Sequence, residues 1–216
     1  MDKAVLFLTG RYLARDLPFY RKLARGCFRV AVDGGYRFFQ RAGIAPDLLI
    51  GDFDSLKRLP KRLPRGVELL AFPTDKDKTD TELALDYCLE RGARQIDIVE
   101  PSFGDPDHFL ANLFLLARKV NAPARKKRRL RLVGPAYEAF FLSDSRVKFA
   151  GAKGSIVSII PVSRSIRMTC RGTAFDVSGA TIQRGETRPA RNRITAANAT
   201  FEIAGQAFVV RLIRRR

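Results

Sequence analysis

Acidic side chains recur just past short apolar runs in this 216-residue chain. Asp33 stands in "VDGG", Asp52 and Asp54 in "PDLLIGDFDSL", Asp77 and Asp80 in "DKDKTD", and Asp107, beside His108, in "GDPDH". In an extended segment Asp52 and Asp54 would face the same way, with Cα atoms ~6.5–7 Å apart. Carboxylates held that close repel, and one takes up a proton unless a cation neutralises the pair. An oxygen donor set with no cysteine or second histidine beside it suits Mg²⁺ rather than zinc. Mg²⁺ commonly divides its coordination between one or two carboxylates and substrate phosphates, which points to a nucleotide.

The chain carries no Walker A lysine motif and no GxGxxG. Phosphates are therefore expected on a metal, on loop amides and on scattered Arg and Lys. The Gly34–Gly35 pair at a helix start is placed to offer backbone N–H groups to a phosphate. Each motif also has a plain structural reading. "VDGG" and "GDFDS" are ordinary turn sequences, Asp80 suits a helix N-cap, and His108 suits a satisfied first-turn position.

The elements that must position these groups alternate in type. "AVLFL" reads as a buried strand, "FRVAVDGG", "DLLIG", "VELLAF" and "QIDIV" as further strands, and "YRFFQRAG", "TDTELALDYCLERG" and "DHFLANLFLLARK" as helices, the last apolar enough to be largely buried. That alternation predicts an α/β domain with a mostly parallel open sheet flanked by helices, and ligands in such sheets bind outside the carboxyl ends of the strands. From about Leu130 the pattern changes to β-branched runs cut by glycines: "GSIVSIIPV", "SIRMTC", "TAFDVSG", "NATFEIA" and "AFVVRLI". These predict a smaller antiparallel β-sandwich or barrel. The boundary is expected in "NAPARKKRR", giving domains of residues 1–125 and 126–216.

Composition narrows the class. No apolar run approaches the ~18 residues of a membrane span, and "MDKAVLFLTG" is too short in its apolar part for a signal peptide. Cys27, Cys88 and Cys170 are scattered and odd in number, which reads as reduced thiols and a cytoplasmic protein. A single histidine excludes a multi-histidine metal site. The net charge of +18 attracts polyanions, although "ARKKRRLRL" and the terminal "RLIRRR" hold much of it and read as solvated surface without a nucleic-acid-binding signature.

The series "VAVDGGYRFFQRAGIAPDLLIGDFDSL", "FPTDKDKTDTELAL" and "DHFLANLFLL" resembles the thiamine pyrophosphokinase family in order and spacing. That family transfers diphosphate from ATP to the hydroxyethyl oxygen of thiamine, as a Mg²⁺-dependent homodimer. The resemblance implies that Asp52, Asp54 and Asp80 bind the metal, and that Asp33, Gly34, Gly35, Ser55, Asp77, Thr79, Asp107 and His108 shape the nucleotide and diphosphate site. It further implies that the β domain binds the acceptor, through Asn192, and dimerises. Two departures stand out. Phe103, Gly104 and Asp105 occupy the places of a family Gly-Gly-Arg, and Arg191 replaces a serine before Asn192 in a chain without tryptophan. They keep two alternatives in view: diphosphate transfer to another alcohol such as a hydroxymethylpterin, and a non-catalytic protein that binds nucleotide or nucleic acid.

Overall fold

A computed structural model describes residues 1–56, 62–101, 105–121 and 128–213. The chain divides into two compact units, 1–115 with 126–135, and 116–125 with 136–216.

The first unit is built on a parallel sheet. Its strands are β1 (Lys3–Phe7), β2 (Phe28–Val32), β3 (Leu48–Gly51), β4 (Glu68–Ala71), β5 (Gln95–Val99) and β6 (Arg129–Gly134), in the spatial order β6-β5-β1-β2-β3-β4. The boundary expected at 125/126 assigned Arg129–Gly134 to the β domain; the strand instead pairs in parallel with β5. The order reverses at β1, which has β2 on one side and β5 on the other, so the carboxyl ends there open a crevice.

Alternation along the strands sends side chains to both faces. Val5, Phe7, Ala31, Leu49 and Val99 join a core with aromatics of α1 (Leu17–Ala24) and α2 (Tyr36–Ala42), in which Phe7 and Phe38 stack with centroids 4.0 Å apart. On α3 (Asp80–Glu90), Ala84, Leu85, Cys88 and Leu89 are buried, and the helix packs on β1, β2 and β3. The helix α4 (Pro106–Asn121) departs from the largely buried element expected. Leu113, Leu116 and Ala117 are buried, but Leu110 and Phe114 are more than half exposed. Helical spacing gives this helix one buried side, which Leu115 also joins, and leaves Leu110 and Phe114 on its outer face.

The second unit is antiparallel, as the β-branched runs predict. Its strands are β7 (Tyr137–Ala150), β8 (Ile156–Pro161), β9 (Ser165–Arg171), β10 (Val177–Gln183), β11 (Asn192–Arg193) and β12 (Asn198–Leu212). "NATFEIA" and "AFVVRLI", read as separate strands, are one strand with a bulge between Ile203 and Gln206. At that bulge β12 changes partner, from β9 before it to β8 after it, while β7 runs along its other edge. A bulge bends the strand and sharpens its twist. A core of Phe149, Val157, Ile159, Ile166, Met168 and Phe201 packs within this unit.

Candidate active site

The carboxylates converge where the parallel sheet ends. Ligand oxygens of Asp33, Asp52 and Asp54 all lie within 4.8 Å of one another. Asp33 follows β2 in a single 3-10 turn, Asp33–Gly35, with its backbone in the left-handed region at φ 46°. Its Oδ2 accepts a hydrogen bond of 3.2 Å from the Thr9 hydroxyl beyond β1. The two glycines allow the close packing here. A Cβ on Gly34 would sit 2.4 Å from Ser55 Oγ, and one on Gly35 would sit 1.8 Å from the Phe7 carbonyl oxygen.

Asp52 and Asp54 meet by a route other than the extended alternation expected of them. Between them Phe53 adopts φ 63° with its ring buried in the core. A non-glycine residue held there stores about 1–3 kcal/mol of strain, tolerated where surrounding packing over-determines it. The resulting turn is closed by Leu56 N–H to the Phe53 carbonyl at 3.1 Å and by Asp54 N–H to Asp52 Oδ1 at 3.2 Å. The Arg37 guanidinium on α2 donates to the Ser55 carbonyl and ties the loop down.

Asp80 arrives from a third direction. The N-cap of α3 is Thr79, whose hydroxyl accepts from Glu82 N–H at 3.3 Å, so Asp80 is the first helical residue and its carboxylate is not spent on capping. Lys76 links it to the others: its ammonium is 2.7 Å from Asp52 Oδ2 and 3.2 Å from Asp80 Oδ1. Hydrogen bonding from Lys76 holds the Asp52 carboxyl below its ordinary pKa. Burial raises that of Asp80, and the charges of Asp52 and Asp33 add to the rise against the pull of Lys76.

A cation fits this donor set. Asp33 Oδ1, Ser55 Oγ and Asp80 Oδ1 are buried without a hydrogen-bond partner among the described residues, the last within ion-pair reach of Lys76 but outside hydrogen-bond geometry. Buried polar atoms are normally satisfied, and oxygens left open beside several carboxylates suit a hard divalent ion.

The remaining expected residues are outside this group of converging oxygens. Asp77 is exposed in the loop before α3. Asp107 and His108 are exposed in the first turn of α4, where Asp107 accepts from the His108 backbone N–H at 2.8 Å. The Asp105 carbonyl accepts the first helical bond of α4, from Phe109 N–H at 3.0 Å, an N-cap position that favours an acidic residue; Phe103 and Gly104 fall outside the described residues. So do 125–127 and 214–216, which carry much of the basic runs.

Asn192, in the second unit, is buried, and its amide is engaged within that unit. It donates to Thr173 Oγ1 at 3.0 Å and to the Phe175 carbonyl at 2.8 Å, and accepts from Phe175 N–H at 3.2 Å. These bonds fix the turn that carries the Phe175 ring, 75% exposed. Arg191, at φ 59°, is exposed and binds Ser158 Oγ through its backbone N–H.

Thr9, Arg37 and Lys76 escaped the sequence reading. Lys76 alone had a visible signal, a cation inside an acidic motif. A cavity of about 500 Å³ lined by Arg21, Arg25, Cys27, Arg29, Ile44 and Asp47 contains none of the converging acids.

Comparison with known proteins agrees with the fold. Residues 20–128 match the model of the thiamin pyrophosphokinase catalytic domain. Over 186 residues the chain is 31% identical to the thiamine pyrophosphokinase of Bacillus subtilis (strain 168), covering 81% of this chain and 82% of that protein. A crystal structure of thiamine pyrophosphokinase from Bacillus subtilis superposes with a TM-score of 0.81 at 26% identity, covering 99% of this chain and all of that one. Yeast thiamin pyrophosphokinase, at 14% identity and a TM-score of 0.75, shares the fold over 99% of this chain and 87% of its own. The chain belongs to the thiamine pyrophosphokinase family.

Proposed function

We propose that this enzyme transfers the diphosphate group of ATP to the hydroxyethyl oxygen of thiamine, giving AMP and thiamine diphosphate, as a Mg²⁺-dependent cytoplasmic homodimer. The observation that carries the reading is the convergence of Asp33, Asp52 and Asp54, joined through Lys76 by Asp80, at the carboxyl ends of β2 and β3.

Asp52, Asp54 and Asp80 hold the metal in this reading, and Asp33, first expected only around the nucleotide, joins them. The bound ion would neutralise phosphate charge and draw the phosphate oxygens into one geometry. The chain's own groups do the rest. Gly34 and Gly35 let the Asp33 turn press against β1 and Ser55, and Arg37 fixes the Ser55 loop, so the carboxylates are placed before substrate arrives. Asp77, Thr79, Asp107 and His108 line the nucleotide side. The acceptor oxygen attacks the β-phosphorus in line as its bond to the oxygen of AMP breaks, and rate comes mainly from positioning and charge neutralisation. On the acceptor side Asn192 acts by holding the turn of Phe175.

The test is an acceptor panel. With ATP and Mg²⁺, AMP should appear with thiamine and not with hydroxymethylpterin or buffer. AMP release with the pterin alone would overturn the choice of acceptor. Absence of AMP with every alcohol, together with salt-sensitive duplex DNA binding, would favour a non-catalytic protein.

A further inference from the structure

Lys76 is the one cation in contact with the converging acids among the described residues, and its place is a loop between β4 and α3. Its side chain is 13% exposed. Besides Asp52 Oδ2 and Asp80 Oδ1, its ammonium reaches the carbonyl of Pro73 at 3.1 Å. Asp52 thus has one oxygen on Lys76 and the other on the Asp54 N–H. A divalent ion bonded to Asp52 Oδ2 at about 2.0–2.1 Å would sit within about 5 Å of that ammonium, inside the same partly buried cluster. Two such cations repel, and the lysine stem is flexible enough to withdraw.

We propose that Lys76 is an exchangeable counter-ion: its ammonium neutralises Asp52 and Asp80 while no metal is bound, and leaves Asp52 when a divalent cation binds. This rests on the reading of the acids as a divalent-cation site. The exchange keeps the carboxylates in place without substrate, sets a competitor that weakens metal binding by the free enzyme, and releases a positive group at the edge of a site built for an anionic ligand. The Pro73 carbonyl keeps the released ammonium on its own loop. Lys76 is on this account a positioning residue for the acids.

The exchange is read without turnover. The wild-type protein is acetylated with limiting acetic anhydride, with and without saturating Mn²⁺ alone, and modification at each lysine is followed by peptide mass spectrometry. Lys76 should react several-fold faster with the metal, as its ion pairs break, while Lys78, paired with Asp86 at 3.0 Å, keeps its rate. In parallel, Lys76→Gln should bind Mn²⁺ at least about tenfold more tightly than wild type, because no ammonium competes. Mn²⁺ binding with an unchanged Lys76 rate overturns the exchange while leaving the metal site standing. Absence of Mn²⁺ binding to both proteins overturns the metal site and the exchange together.

Discussion

Asp80→Asn separates a ligand from a structural residue, because the neighbouring position supplies the control. Thr79 caps α3, so the helix does not depend on the Asp80 carboxylate. That carboxylate stands 3.2 Å from the Lys76 ammonium, worth ~5 kcal/mol in gross Coulomb energy at an effective dielectric of 20. Burial and the charges of Asp52 and Asp33 oppose the attraction, and the net result is a raised pKa. The ionised group is therefore on balance disfavoured in the fold, and its replacement by Asn should change stability by less than about 1 kcal/mol. On the proposed metal-binding role, losing this carboxylate should lower kcat/KM at least ~100-fold, about 2.7 kcal/mol of transition-state stabilisation. Thr79→Ala should do the reverse, costing ~1 kcal/mol of stability and much less activity. Urea denaturation and an AMP-release assay on both variants give the comparison. Asp80→Asn that unfolds early yet turns over normally would refute the assignment.

Further outcomes follow from the same geometry. Gly35→Ala must open a 1.8 Å approach to the Phe7 carbonyl by about 1.2 Å, so it should cost ~1–3 kcal/mol in urea denaturation and impair turnover through the Asp33 turn; an unchanged midpoint would contradict this. Burial raises the Glu100 carboxyl, 4% exposed, against the opposing bond from Asn112 Nδ2 at 2.6 Å. The folded state then holds its proton more tightly than the unfolded state, so this group's contribution to stability falls as pH rises from about 4.3 through the raised value. Glu100→Gln should accordingly match wild type at low pH and become the more stable protein toward neutrality, measured by urea midpoints across pH. Asn192→Ala removes its bonds to Thr173 and the Phe175 carbonyl and takes away the acceptor of the Phe175 N–H, and should cost ~1–3 kcal/mol, read by thermal or urea unfolding.

Much of the first unit was legible because its signals are local. Thr79 or Asp80 as a cap, and Gly92 beyond the last turn, announce α3 in sequence. Gly43, at φ 63°, likewise ends α2. Short apolar runs placed β1, β2, β3 and β5 because strands buried on both faces need no alternation. What escaped depends on tertiary contacts. The strand β7 hides in "YEAFFLSDSRVKFA", whose Ser-Asp-Ser-Arg segment is held by pairing with β12 rather than by its own propensity. No composition rule separates β6 from the strands that follow it, since only its pairing with β5 assigns it.

Within the site, the acids past the strand ends were readable and their partners were not. Phe53 gives no sign in sequence that it takes a left-handed backbone, yet that conformation, not an extended pleat, brings Asp52 and Asp54 together. Lys76 reads as one more loop charge until the fold sets it between Asp52 and Asp80, and no sequence signal shows that the Asn192 amide bonds within its own unit.

The most direct test of the central claim is the phosphorus balance of a single reaction. Followed by 31P NMR, wild-type protein with ATP, Mg²⁺ and thiamine should form AMP and a doubly phosphorylated thiamine in equal amounts, with both transferred phosphorus atoms in the product. Formation of ADP with a singly phosphorylated acceptor would contradict attack at the β-phosphorus, and with it the account of the converging acids.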